Sequence, residues 1–187
     1  MRLLLAIFIS TFLAFVSALP TTSTLVTREA NAVVDAVHKI ADQMKALNTT
    51  VTSYDGGLLG TVTALKIEFK CITLSHDLKN AISTTESSPN FTDTESLSVS
   101  TSFLDLQPQI YSTLDNIVSK KPQFDNGLLG IGSLSFLVKH NLEEEKDLSA
   151  KLGSAVAAKL REPYASLAPT INKGIAEKFA AAIKVFS

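Results

Sequence analysis

The chain reads as an all-α protein: a single-domain bundle of about five helices, built from two αα-hairpins plus a C-terminal helix. Three observations predict this. Apolar residues recur at alternating steps of three and four over most of the chain, which is the period of one helix face. No stretch alternates convincingly as a strand would. A turn motif is also written twice, 70 positions apart: Tyr54 to Gly60 reads YDGGLLG and Phe124 to Gly130 reads FDNGLLG.

The elements follow in order. Residues 1–18 read as a secretory signal peptide: Arg2 is the basic start, LLLAIFISTFLAFV the apolar stretch, and Val16-Ser17-Ala18 the small-residue cleavage site. The domain is then 19–187, long enough for one real core. From Glu29 to Leu47, Val33, Val37, Ile40, Met44 and Leu47 form one helical face, with Asp35, His38, Lys39, Asp42 and Lys45 opposite. The paired glycines of YDGGLLG stop that helix, since glycine takes φ > 0 freely. The second helix, about Leu58 to Ile82, carries two apolar stripes: Leu58, Val62, Leu65, Phe69 and Ile72, and Ile67, Cys71, Leu74, Leu78 and Ile82. At about 100° per residue the stripes lie roughly 200° apart, so this helix is expected to be central and covered on both sides.

Thr84 to Asn90 reads as a loop, and Thr92-Asp93-Thr94-Glu95 as a capping box. The third helix runs to about Ser119 with the stripe Val99, Phe103, Leu106, Ile110, Leu114 and Ile117, and Pro108 inside it should kink it. The fourth follows FDNGLLG, from about Leu128 to Leu160. Pro163 and Pro169 bracket a break, and the last helix carries Ile171, Ile175, Phe179, Ile183 and Phe186.

More than the turn repeats. Shifted by 70, Ile40 falls on Ile110, Met44 on Leu114, Ile67 on Leu137 and Asp77-Leu78 on Asp147-Leu148. The unit is helix, turn, helix, so two hairpins pack together and the fifth helix closes one side. In the second copy Cys71 and Leu74 become Asn141 and Glu144, so that face is expected to meet water. The run Glu143-Glu144-Glu145-Lys146-Asp147 likewise reads as a solvated face.

Composition excludes several functions. Without Arg2 the chain has 16 basic and 18 acidic residues and no basic patch interleaved with aromatics, which argues against nucleic acid. Cys71 stands alone, so packing rather than disulfides must hold the core, and it reads as a buried small hydrophobe. Asn48-Thr49-Thr50 and Asn90-Phe91-Thr92 are glycosylation sequons, placed at helix ends or loops. The C-terminal AAAIKVFS lacks the pattern of a glycolipid anchor signal, and past the signal peptide no transmembrane segment is expected. His38, His76 and His140 are scattered, and neither a nucleophile elbow nor a dinucleotide fingerprint occurs. No catalytic residue, metal ligand or cofactor site is expected, and the protein is not read as an enzyme.

What remains is apolar. The stripes allow a cavity for an acyl chain, a face that adsorbs to interfaces, or an ordinary packed core; periodicity alone favours the packed core, since apolar stripes are normally core. If a lipid lies between the helices, the stripes nominate Leu65, Phe69, Ile72, Phe103, Ile110, Leu114, Ile175 and Phe179 as its lining.

The signal peptide, the chain length, Val51-x-x-Tyr54-x-Gly56-Gly57 after the first helix, and the closing Ala182-Ile183-x-x-Phe186 together resemble the fungal hydrophobic surface-binding protein A family, which includes the cell-wall galactomannoproteins. The resemblance covers essentially all of the mature chain. It implies a secreted, non-enzymatic five-helix bundle. Its relatives adsorb to hydrophobic surfaces, where some recruit polymer-degrading hydrolases, or enclose fatty acids between helices. The expected partners are thus a fatty acid or other apolar ligand or surface, secreted hydrolases and cell-wall glycans, with an extracellular or cell-wall location.

Overall fold

The computed structural model describes residues 22–127 and 132–187. The signal peptide and the Leu128-Leu129-Gly130 of the second turn lie outside the described residues. Five long helices and one short one make up the fold: α1 (Thr22–Thr52), α2 (Gly57–Ser87), α3 (Asp93–Ser119), α4 (Lys121–Asp125), α5 (Ser135–Ala157) and α6 (Tyr164–Val185). α1 packs on α2 and α3, α2 on α5, α5 on α6, and α6 on α3. The five long helices thus close a ring around one interior.

The sequence explains the local choices. Thr92 and Glu95 form the expected capping box: Glu95 N–H donates to Thr92 Oγ1 (3.3 Å) and Thr92 N–H to Glu95 Oε2 (2.8 Å). Gly56 adopts φ 73°, ψ −169° and Gly57 φ 65°, conformations that an L side chain resists. α2 runs past Ile82 to Ser87, which shortens the expected loop before α3. Pro108 sits inside one continuous α3, and Pro169 inside α6 rather than at a break. α5 begins at Ser135, later than the sequence suggests, because α4 and the segment after it occupy the second turn.

The repeat has a structural meaning. Bonds between α1 and α3 ascend together (Met44 with Thr113, Thr52 with Asn116), and so do those between α2 and α5 (Glu68 with Asn141, Ser75 with Glu145). Equivalent helices of the two hairpins therefore lie side by side, parallel and nearly in register. Residues 70 apart meet. Tyr54 stacks on Phe124 with ring centroids 4.7 Å apart, and Ser75 faces Glu145. The two turns also bond to each other: Gly57 N–H donates to Asn126 O (3.1 Å) and Lys120 Nζ to Tyr54 O (2.7 Å). Phe186 meets Phe124 edge-on at 6.0 Å, so the C-terminus closes this end.

Three expectations need correction. α2 is covered on one side only. Ile67, Cys71, Leu74 and Leu78 are buried, whereas Leu58, Leu59, Val62, Leu65, Phe69 and Ile72 are 59–93 % exposed, because α1 and α5 both pack against the same flank. The polar face of α5 meets water only in part: Glu143 and Asp147 are exposed and the Glu144 side chain is 38 % exposed. Asn141 donates to Glu68 Oε2 (2.7 Å), and Glu145 is only 6 % exposed. Of the three consecutive glutamates, Glu143 is exposed, Glu144 half-buried and Glu145 buried, since 100° steps send one of them inward. Asn48 is likewise not at a helix end. It lies within α1, half-buried, with its amide bonded to Ser112 and Asn116 across α3, whereas Asn90 is exposed in a loop.

Candidate functional site: an apolar path through the bundle

A mouth opens at the end opposite the two turns, where α3 begins, α5 ends and α6 begins. It has a volume of about 310 Å³ and is lined by Leu97, Phe103, Leu104, Val156, Leu160, Leu167 and Ile171 among others. This falls at the small end of the range for ligand sites. Its polar lining is uncharged: Ser100, Thr101, Tyr164, Thr170 and Asn172. Ser100 lines the mouth, and its hydroxyl is buried with no hydrogen-bond partner among the described residues.

Two small voids follow along the axis, about 30 and 40 Å³, and then a groove of about 120 Å³ between α2 and α5 near the turns. Shared walls link them. Phe103 and Asn172 line both the mouth and the first void. Met44, Leu74, Glu145 and Phe179 line both voids. Ile67, Phe124, Val138 and Asn141 line the second void and the groove. The result is an apolar path along the bundle, open at the mouth and constricted at its centre. Voids this size hold a water or two, so an acyl chain passes the centre only if the side chains that line both voids, Met44, Leu74, Glu145 and Phe179, give way.

The sequence-nominated residues divide. Phe103 lines the mouth and the first void, Ile110 and Ile175 the first void, Leu114 the second, and Phe179 both. Leu65 sits on the rim of the α2–α5 groove, 66 % exposed. Phe69 and Ile72 face outward on the uncovered side of α2 and do not lie between helices. Sequence reasoning missed the mouth: Leu97, Leu104 and Leu167 stand off the main stripes of α3 and α6. The spacing of Leu97 and Leu104, two turns apart on one face, is the signal that could have found it.

It also missed the polar pair at the centre. Ser75 Oγ donates to Glu145 Oε1 at 3.0 Å, both residues buried. Burial pushes the Glu145 carboxyl up to about 8; the Ser75 bond and Lys79 oppose the shift, while Glu144 adds to it. The carboxyl is thus largely protonated at neutral pH. Glu145 lies in register with Leu142, Leu148 and Leu152 of the buried face of α5, a register that the sequence displays. Burial also raises the neighbouring Cys71 thiol well above its ordinary value, which leaves it unreactive. Among the described residues no group of three or more His, Cys, Asp and Glu could hold a metal ion, and no helix is long and apolar enough to cross a membrane.

The sequence profile of Hydrophobic surface binding protein A matches residues 30–158. The chain belongs to that family. Within it, the protein is similar to cell wall mannoprotein 1 of Aspergillus fumigatus, 29 % identical over 154 residues, and to that of Aspergillus flavus, 24 % identical over 151. The match spans 82 % and 81 % of this chain but only about half the length of those relatives (50 % and 52 %). Among solved structures, AfMP4p in complex with palmitic acid superposes with a TM-score of 0.78 at 25 % identity, covering 84 % of this chain and 99 % of that one. Ligand binding domain 1 of Penicillium marneffei MP1, complexed with arachidonic acids, superposes with a TM-score of 0.76 at 19 % identity, covering 85 % and 99 %. The all-helical bundle of this HsbA-family protein is therefore a fold seen elsewhere with fatty acids bound.

Proposed function

We propose that this HsbA-family protein is a secreted, non-enzymatic lipid-binding protein that holds a long-chain fatty acid between its helices. The observation that carries the reading is the apolar path entered from the mouth between α3, α5 and α6. Its support is twofold. The largely apolar lining of the mouth would take a hydrocarbon chain out of water, at ~25 cal/mol per Å² of apolar surface. Folds of the same kind take palmitic and arachidonic acids in AfMP4p and MP1. Secretion rests on the signal peptide at 1–18, and a cell-wall location on the names of the similar mannoproteins. Native mass spectrometry after incubation with saturated and unsaturated fatty acids tests the reading. One added acyl mass is expected; a bare protein mass with every chain length would sink it.

A second reading has its own observation, the uncovered stripe of α2. Leu58, Leu59, Val62, Leu65, Phe69 and Ile72 are all more than half exposed along ~21 Å of helix, and no helix among the described residues covers them. Such a stripe suits adsorption to an apolar surface, where glycans of the wall or secreted hydrolases would be its neighbours. Hydrophobic beads should deplete the protein from solution, and a double Val62→Lys, Phe69→Lys variant should stay in the supernatant while still binding fatty acid. Complete recovery of the unaltered protein in the supernatant would remove this second role.

A further inference from the structure

A polar pair in the narrowest part of an apolar path is a choice that needs a reason. Ser75 and Glu145 occupy equivalent positions of the two repeats, one on α2 and one on α5, where their neighbours Leu74, Leu142 and Leu148 are apolar. An interhelical contact between two leucines would hold the bundle at least as well, since a buried polar pair gains little net stability over an apolar one. Glu145 also lines both voids. Ser75 uses Oε1 alone, and among the described residues no hydrogen bond engages Oε2. The charged groups that act on it are Lys79 on α2 and Glu144 on α5, and Glu68 on α2 acts on the neighbouring Cys71. Each of these has a partner at the rim: Glu68 accepts from Asn141, and Lys79 pairs with Glu144 at 2.8 Å. Protonated, the Glu145 carboxyl offers both an O–H and a carbonyl toward the path.

Its position along the path says what it would meet. The unpartnered Ser100 hydroxyl and Asn172 lie at the mouth, so a fatty carboxylate is best satisfied there and the chain points inward. On α5, Gly153 and Val156 line the mouth, eight and eleven positions beyond Glu145, which is ~12–16 Å along the helix axis. Glu145 therefore faces the middle of a long chain, not its head.

We propose that Glu145, held from behind by Ser75, forms a hydrogen-bonding station on the path that selects acyl ligands carrying a hydroxyl group partway along the chain over unsubstituted ones. The inference rests on the fatty-acid reading above. The hydroxyl donates to Glu145 Oε2 or accepts from its O–H, and an unsubstituted chain leaves the pair unanswered.

The test is displacement of a fluorescent fatty acid from the purified protein by stearic acid and by 12-hydroxystearic acid. The unaltered protein should prefer the hydroxylated acid by about 3–10-fold, the worth of one buried hydrogen bond. Ser75→Ala and Glu145→Leu should lower the preference toward one, and Glu145→Gln, which still donates and accepts, should retain part of it. Should Glu145→Leu fail to fold, Ser75→Ala and Glu145→Gln still give the ratio. Equal affinity for the two acids, or a preference that all three variants keep, would overturn the proposal and leave Ser75–Glu145 as an interhelical contact. If neither acid binds, the fatty-acid reading fails and takes this inference with it.

Discussion

Replacing Glu145 with Gln should change how stability depends on pH. In the folded protein the carboxyl is raised from 4.5 to about 8, chiefly by burial. A carboxyl raised on folding favours the protonated folded state. Its contribution is fully present below the unfolded value and is lost as pH rises from there through about 8. Each tenfold change in proton affinity corresponds to ~1.4 kcal/mol, so the loss is on the order of 4 kcal/mol by pH 9. Gln keeps the shape and can still accept from Ser75 Oγ, but it carries no titratable proton. The two proteins should therefore unfold at similar temperatures at pH 4, with the variant gaining steadily at higher pH. At ~2–4 °C per kcal/mol for a chain of this size, the variant should melt roughly 10 °C above the unaltered protein at pH 9. Circular dichroism melts at pH 4, 7 and 9, backed by urea titrations, measure this. A stability difference that stays the same at all three pH values would refute the buried, protonated assignment.

Other outcomes follow from the same geometry. Leu104→Glu places a carboxylate on the mouth at a position already 51 % exposed. Stability should stay within ~0.5 kcal/mol while fatty-acid affinity falls at least about tenfold, as read by displacement titration. At Gly56, a Cβ would lie 2.8 Å from Gln123 O at a φ of +73°, so Gly56→Ala should cost about 2 kcal/mol or more and lower the urea midpoint accordingly. Peptide mapping of protein secreted from a eukaryotic host should find a glycan on exposed Asn90 and none on Asn48, whose Nδ2 already donates to Ser112 Oγ at 3.2 Å.

The sequence carried the helices and their pairing plainly, for a physical reason. A buried helix face must repeat near 3.6 residues, and a chain that writes one hairpin twice brings equivalent residues together, as Tyr54 with Phe124 and Ser75 with Glu145. It carried less about cover. Periodicity says that a face is apolar, not what lies on it, so the Leu58–Ile72 stripe looked like core and is surface. Phe69 and Ile72 were nominated for the interior for that reason. The interior nominations Ile110, Leu114, Ile175 and Phe179 came from the single-striped helices α3 and α6, where an apolar face has only one place to go. The mouth was hidden because it is assembled from the ends of three helices distant in sequence. Glu145 was hidden because a run of charge suggests solvent, although its register with Leu142 and Leu148 places it inside.

The central claim is that an acyl chain enters at the mouth and lies along the bundle axis past Phe179. A crystal structure of the protein with palmitic acid tests it most directly. Continuous chain density is expected from the mouth at Ser100 and Asn172 inward, with the side chains shared by the two small voids displaced and the voids merged. Palmitate found only on the outer stripe of α2, with the interior still closed around Phe179, would contradict it.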